Sequence, residues 1–341
     1  MVRWRAGPRG GKVKTAKTST KTLQPCVKYV REEEGAEVSR RSAPGLAARA
    51  VACFFAAGWG PDWGAVAEGA FIRFKAFRTP HFLETPSAMS TSTVTMQPDT
   101  RIALVTGADR GCGLEFCKQL AGLGFLVVGT AKDAVNAQEL NELAKESQNK
   151  VFVQQMDQTK EDEIKNLAEA LRARNYRLDL LILNAGVAEH DHPHAPPSKL
   201  ERRELAELLD VNVCGTASVV KHMLPLVQES QEKKVVGVTS KMGSMEEAMG
   251  DKPYLSAGYR VSKAAENMLL RVWARDPTAQ DVTFLLLHPG HLKTAMGEAG
   301  GREAPLTCEE GVKQSLEKVV LRCGRQESGQ FFNYDGSELP F

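Results

Sequence analysis

Short apolar runs alternate with amphipathic stretches from Arg101 to the end of the chain. Arg101–Thr106 (RIALVT), Phe125–Thr130 (FLVVGT), Val151–Met156 (VFVQQM), Leu178–Asn184 (LDLLILN), Val235–Ser240 and Val282–His288 (VTFLLLH) predict strands. Gly111–Leu123, Asn136–Ser147, a segment after Thr159, a long stretch Lys199–Gln228, and Tyr259–Arg275 predict helices between them. Thr159 with Asp162, and Thr307 with Glu310, have the spacing of side chains that satisfy open amides at a helix start. Gln330–Tyr334 reads as an edge strand. Strands that are apolar at every position are buried on both faces, as in a parallel sheet covered by helices. Repeated strand–helix units of this kind predict one α/β domain over residues 101–341, a doubly wound parallel sheet with helices on both faces.

The first hundred residues break this rhythm. Residues 1–30 hold eight Lys/Arg and no acid, and Gly and Pro are scattered through Gly35–Pro86. The apolar run Ala50–Gly60 is shorter than the ~20 residues a membrane span needs. Residues 1–100 are expected to be a disordered or targeting extension, or to lie upstream of a true start at Met89 or Met96. A cytoplasmic location is expected, or an organelle if the extension holds a transit peptide. Charge follows the same division. Residues 1–100 hold 15 Lys/Arg against 8 Asp/Glu, a net of +7, so the rest of this +2 chain carries −5. The domain is thus mildly acidic, and neither nucleic acid nor membrane is an expected partner. The seven cysteines include no CxxC pair and read as free thiols, with Cys112 packed near a glycine loop.

That loop, Thr106-Gly107-Ala108-Asp109-Arg110-Gly111-Cys112-Gly113, joins the first strand to the first helix. Its glycines permit a tight turn and close approach of a pyrophosphate to the backbone, and the helix start supplies free amides and a positive dipole end. The spacing is Gly-x3-Gly-x-Gly, not the usual Gly-x-Gly-x2-Gly. Farther on, Tyr259 and Lys263 stand four apart on one helix face. An ammonium there favours phenolate over phenol, which makes Tyr259 a candidate proton donor.

The ordered set Thr106–Gly113, Asn184-Ala185-Gly186, Asn212, Ser240, Tyr259/Lys263 and Pro289-Gly290 resembles the short-chain dehydrogenase/reductase family over residues 101–341. The resemblance implies a Rossmann-type fold and a catalytic set of Asn212, Ser240, Tyr259 and Lys263. Ser240 would hold the substrate carbonyl oxygen and Tyr259 would donate the proton. Lys263 would tune Tyr259 and hold the nicotinamide ribose, and Asn212 would anchor a relay water. Asn184, Ala185 and Gly186 would form a turn beside the cofactor, with Pro289, Gly290 and Thr294 near the nicotinamide. Asp157 would meet the adenine. Ala131 stands where members that use NAD often carry an acid, and the basic Arg110 and Lys132 are placed to clamp a 2′-phosphate, so NADP(H) is the expected cofactor. Asp133 is the one dissenting charge.

Ser240 and Tyr259 are farther apart than usual in the family, through a polar stretch at Met245–Ser256. Ser244 and Tyr254 are the competing serine and tyrosine, although Gly258 stands where the lysine of Tyr254 would be. The ending Gly329–Pro340 resembles the sniffer- and C-factor-like carbonyl reductases. The short, Gly-rich segment between Met296 and Thr307 suits an open pocket for small carbonyls and quinones. The alternating His190, His192 and His194 read as a surface loop and not a metal site, and no metal is expected. His288 and His291 read as packing or substrate-facing residues. A homodimer through the long helices is expected. The alternative to a reductase is an NADP(H)-binding regulator of the same fold.

Overall fold

A computed structural model describes residues 100–189, 196–247 and 256–341. The N-terminal extension, the three clustered histidines, Tyr254 and most of the Met245–Ser256 stretch lie outside the described residues.

Seven strands form one sheet: β1 (Ile102–Val105), β2 (Leu126–Ala131), β3 (Val151–Gln155), β4 (Leu180–Leu183), β5 (Lys234–Val238), β6 (Thr283–His288) and β7 (Phe331–Asn333). Their order is β3-β2-β1-β4-β5-β6-β7, and every pairing is parallel. Ala103 lies opposite Leu180 and Val105 opposite Ile182, so β1 is flanked by β2 and β4. The strand order therefore reverses between β1 and β4, and open sheets of this kind bind ligands in the crevice outside the carboxyl ends of the strands at such a reversal.

The helices are α1 (Gly111–Gly122), α2 (Gln138–Glu146), α3 (Glu161–Ala173), α4 (Arg202–Leu209), α5 (Thr216–Gln228), α6 (Ala257–Trp273) and α7 (Cys308–Ser315). Alternate strand residues face opposite layers. Leu104, Leu181, Val235 and Phe284 meet α3, α5 and α6 on one side. Val105, Ile182, Val236 and Leu287 meet α1, α2 and α7 on the other. At Gly237 in β5 a side chain would collide with Leu270 of α6. The bare backbone there lets α6, which carries Tyr259 and Lys263, close directly onto the sheet.

Two local expectations need correction. The stretch Lys199–Gln228 is not one helix: a π turn, Asp210–Gly215, separates α4 from α5. The capping pair at Thr159 and Asp162 does not form, since α3 starts after Lys160 with no side-chain cap. The buried Asp157 captures Thr159 instead, accepting its hydroxyl at 2.7 Å and its amide at 3.0 Å. The capping box at Thr307 and Glu310 does form.

Candidate active site

Strand ends and helix starts converge in the crevice. Gly107 and Gly111 turn the chain with φ of +62° and +56°, a region that favours glycine. At Gly113 a Cβ would lie 2.5 Å from Asn184 Nδ2 and closer still to the Gly107 carbonyl oxygen. The loop thus folds back on itself with no room for a methyl group. Asn184 secures it from the end of β4. Its Nδ2 donates to the carbonyls of Thr106 and Gly107, each at 2.9 Å, and the amides of Asn184 and Ala185 donate to Thr106 Oγ1 at 3.0 Å. No side chain caps the start of α1, which leaves its amides available to an anion. The Thr294 methyl lies 3.4 Å from a Cβ built on Gly111, so the segment after Pro289-Gly290 covers the loop. These features fit a dinucleotide.

At the outer end of the crevice Arg110 and Lys132 are 77% and 80% exposed and pair with Asp109 at 3.1 Å and Asp157 at 3.3 Å. Burial works against the Asp157 carboxylate. Hydrogen bonds from Thr159 and the nearby Lys132 outweigh it and bring its pKa below the usual aspartate value. Asp133, the dissenting acid, accepts from Asn136 and closes a turn.

At the inner end, Ser240 lies near enough to Tyr259 to favour its phenolate. Ser240 Oγ also accepts the Met242 amide at 3.2 Å. The competing Ser244 is buried and accepts the Glu247 amide. Lys263 Nζ lies 5.8 Å from the Tyr259 ring centroid and donates to the Val238 carbonyl at 3.1 Å. It is also 3.4 Å from a Cβ built on Gly186, so the ammonium borders the turn beside the phosphate loop. Asn212, seated by the π turn, bonds both polar groups of Val187 and the Ser262 hydroxyl, tying the loop after β4 to α6.

Two acids absent from the expected set complete this end. Glu189 Oε1 accepts the Tyr259 amide at 2.9 Å and fixes the first turn of α6, while its Oε2 is buried without a partner among the described residues. Glu266 Oε2 accepts from Lys263 Nζ at 2.6 Å, with the two side chains 1% and 4% exposed. Burial alone would lower the Lys263 pKa, but Glu266 and Tyr259 outweigh it and hold the ammonium above the ordinary lysine value. Burial raises the Glu266 carboxyl despite the pull of Lys263. Tyr259 differs from expectation. Burial pushes its phenol above the usual tyrosine value, Lys263 and Ser240 pull it down, and Glu266 adds to the upward push. Nearby, His288 is buried and its pKa falls to about 3, chiefly through burial, with Lys241 and His291 adding to the fall. His291 bonds the Gly297 carbonyl at 2.7 Å.

The sequence model of the short chain dehydrogenase family matches residues 101–304. The chain belongs to that family. Among curated short chain dehydrogenases and reductases, it is 30% identical over 304 residues to salutaridine reductase of Papaver bracteatum, covering 70% of this chain and 95% of the relative. It is 33% identical over 164 residues to the C-signal protein of Myxococcus xanthus, covering 48% of this chain and 93% of that one. Two solved structures of this dehydrogenase fold are similar. The NADPH-bound carbonyl reductase from chicken fatty liver has 28% identity, a TM-score of 0.64, and coverage of 71% of this chain and 99% of that one. The carbonyl reductase Sniffer of D. melanogaster has 27% identity and a TM-score of 0.62 at the same coverage. Among the described residues no helix is long and apolar enough to cross a membrane.

Proposed function

We propose that the protein is an NADP(H)-dependent carbonyl reductase acting on small aldehydes, ketones or quinones, or running the reverse alcohol oxidation. One observation carries the reading: Lys263 Nζ lies 5.8 Å from the Tyr259 ring at the inner end of a glycine cradle, and Ser240 stands at the end of the neighbouring strand β5. When bound, the dinucleotide supplies or accepts hydride at its nicotinamide. Ser240 holds the carbonyl oxygen and Tyr259 gives it a proton, so hydride addition yields a neutral alcohol. Lys263 meets the ribose and Asn212 sits behind it at the π turn. Gly107, Arg110, Gly111 and Gly113 hold the pyrophosphate, with Arg110 and Lys132 on the 2′-phosphate and Asp157 at the adenine. Asn184, Ala185, Gly186, Pro289, Gly290 and Thr294 enclose the nicotinamide half. The NADPH-bound relative supports this cofactor.

The test is a titration with NADPH and NADH, followed by turnover on a panel of small carbonyls and quinones. Tyr259→Phe is expected to bind NADPH like the wild type and to lose turnover. Tight NADPH binding with no turnover on the panel, or a cellular effect that survives Tyr259→Phe, would favour an NADP(H)-binding regulator instead.

A homodimer completes the proposal. Val261, Met268 and Val272 are 48%, 58% and 60% exposed, and their 7- and 4-residue spacing places them along one side of α6. This supports pairing through that helix. A monomeric mass at micromolar concentration by sedimentation would contradict it.

A further inference from the structure

The ion pair between Lys263 and Glu266 is not needed to describe proton donation by Tyr259, yet it is among the most buried charge pairs in the domain. A carboxylate at this depth is costly and persists only with a close partner. Here the partner is the lysine that faces the tyrosine. Glu266 stands three residues after Lys263 on α6, so both side chains leave the same helix face. Its contact at 2.6 Å and the Val238 carbonyl at 3.1 Å occupy two of the three protons of the ammonium. The third is free for the side of Gly186, which lies 3.4 Å from Nζ at its Cβ position. Glu266 therefore aims Lys263 as well as neutralising it.

We propose that Glu266 is a positioning residue: it fixes Lys263 as a buried ammonium aimed at the cofactor side, and its charge sets the pH at which Tyr259 passes from phenol to phenolate. This inference rests on the assignment of Tyr259 and Lys263 as the reacting pair. The charged groups that act on Tyr259 are Lys263 and Glu266 from its own helix and Arg302 from the segment before α7. Those that act on Lys263 are Glu266 and Tyr259. Two cations thus favour phenolate and Glu266 opposes them, while Glu189, the other carboxylate at Tyr259 among the described residues, bonds its main-chain amide. The phenol is the proton donor for reduction, so Glu266 extends the range over which the donor form persists toward alkaline pH. Removing its charge leaves the ammonium and the guanidinium unopposed.

Two measurements on the full chain test this. The first is an ultraviolet difference titration of tyrosinate, taken as wild type minus Tyr259→Phe, because five tyrosines contribute to the raw signal. It is repeated with Glu266→Gln and with Glu266→Gln/Tyr259→Phe, and it reads Tyr259 without requiring turnover. The second is the pH profile of kcat for carbonyl reduction and alcohol oxidation. In Glu266→Gln the Tyr259 titration, the alkaline limb of reduction and the acid limb of oxidation should all move down by about one pH unit. Glu266→Asp, which keeps the charge at a greater distance, should shift in the same direction by less, and it serves if Glu266→Gln fails to fold. An unmoved titration would leave Glu266 only a packing role and overturn the proposal. An upward move would mean that Lys263 loses its proton without Glu266, and would overturn it as well. Full turnover in Tyr259→Phe would instead sink the assignment of Tyr259, while the difference titration would still report on Glu266.

Discussion

Replacing Gly113 by alanine tests whether the phosphate cradle is as tightly folded as it looks. The added methyl would sit 2.5 Å from Asn184 Nδ2 and nearer to the Gly107 carbonyl oxygen. Ordinary contact requires a retreat of about 1 Å. Overpacking of this kind costs about 1–3 kcal/mol. The retreat also loosens the bond from Asn184 Nδ2 to Gly107 O, worth about 1 kcal/mol. The total, about 2–4 kcal/mol, lowers the melting temperature by about 2–4 °C per kcal/mol in a domain of this size. Loss of one amide–phosphate hydrogen bond as α1 retreats weakens NADPH binding by about tenfold or more. Gly122→Ala, in the same helix, is the control: nothing lies within 4 Å of its Cβ position. There alanine should stabilise by about 0.5–1 kcal/mol, because the unfolded chain loses freedom and nothing collides. Differential scanning fluorimetry and NADPH fluorescence titration read both variants. If Gly113→Ala melts with the wild type and binds NADPH equally well, the close-approach argument is wrong.

Lys132→Ala and Arg110→Ala should each weaken NADPH by about tenfold, the low end for a charge-assisted contact at such exposed positions, and leave NADH unchanged in the same titration. Equal loss for both dinucleotides would refute the 2′-phosphate assignment. His288 gives a pH signature. Its pKa is lowered from 6.5 to about 3, so below pH 6.5 the unfolded chain binds a proton that the folded chain refuses. Stability therefore falls as pH drops from about 6.5 toward 3, by up to about 1.4 kcal/mol per pH unit, and is untouched above that window. Urea melts should show this slope shallower in His288→Leu than in the wild type; equal slopes would mean that His288 takes up a proton in the native state.

The sheet was legible because each of its inner strands is apolar on both faces, and no other arrangement buries both. Thr307 and Glu310 were legible because the hydroxyl and the carboxylate bond each other and the facing amides within one turn. Thr159 was not, because the competitor is Asp157, two residues away and buried by tertiary contacts that lie beyond local spacing. The π turn was hidden for a related reason: the apolar pattern continues through Asp210–Gly215, while the helix widens to seat Asn212. Glu266 left a faint signal. Ser262, Lys263, Glu266, Asn267 and Leu270 form one buried face of α6, and two opposite charges three apart in a stripe that should be apolar already point to a paired site. Glu189 left none, since its partner is a main-chain amide far along the chain. The Tyr259–Lys263 spacing predicted two neighbouring side chains, and Lys263 Nζ lies 5.8 Å from the Tyr259 ring, but the direction of the tyrosine shift depends on burial and on Glu266, and neither follows from that spacing.

The lacing of Thr106 and Gly107 to Asn184 and Ala185 bears on the kinetics of cofactor exchange. Ordering a loop residue on binding costs about 1–2 kcal/mol of backbone entropy, and many nucleotide sites meet that cost each time a ligand arrives. Here the turn is held to the end of β4 by bonds made within the chain itself. Its ordering belongs to folding, and association needs no rearrangement of this segment. A preorganised cradle of this kind takes up its dinucleotide in a single fast phase. On the proposed assignment of Arg110 and Lys132 to the 2′-phosphate, selection between cofactors would lie in how long each stays rather than in how quickly it enters.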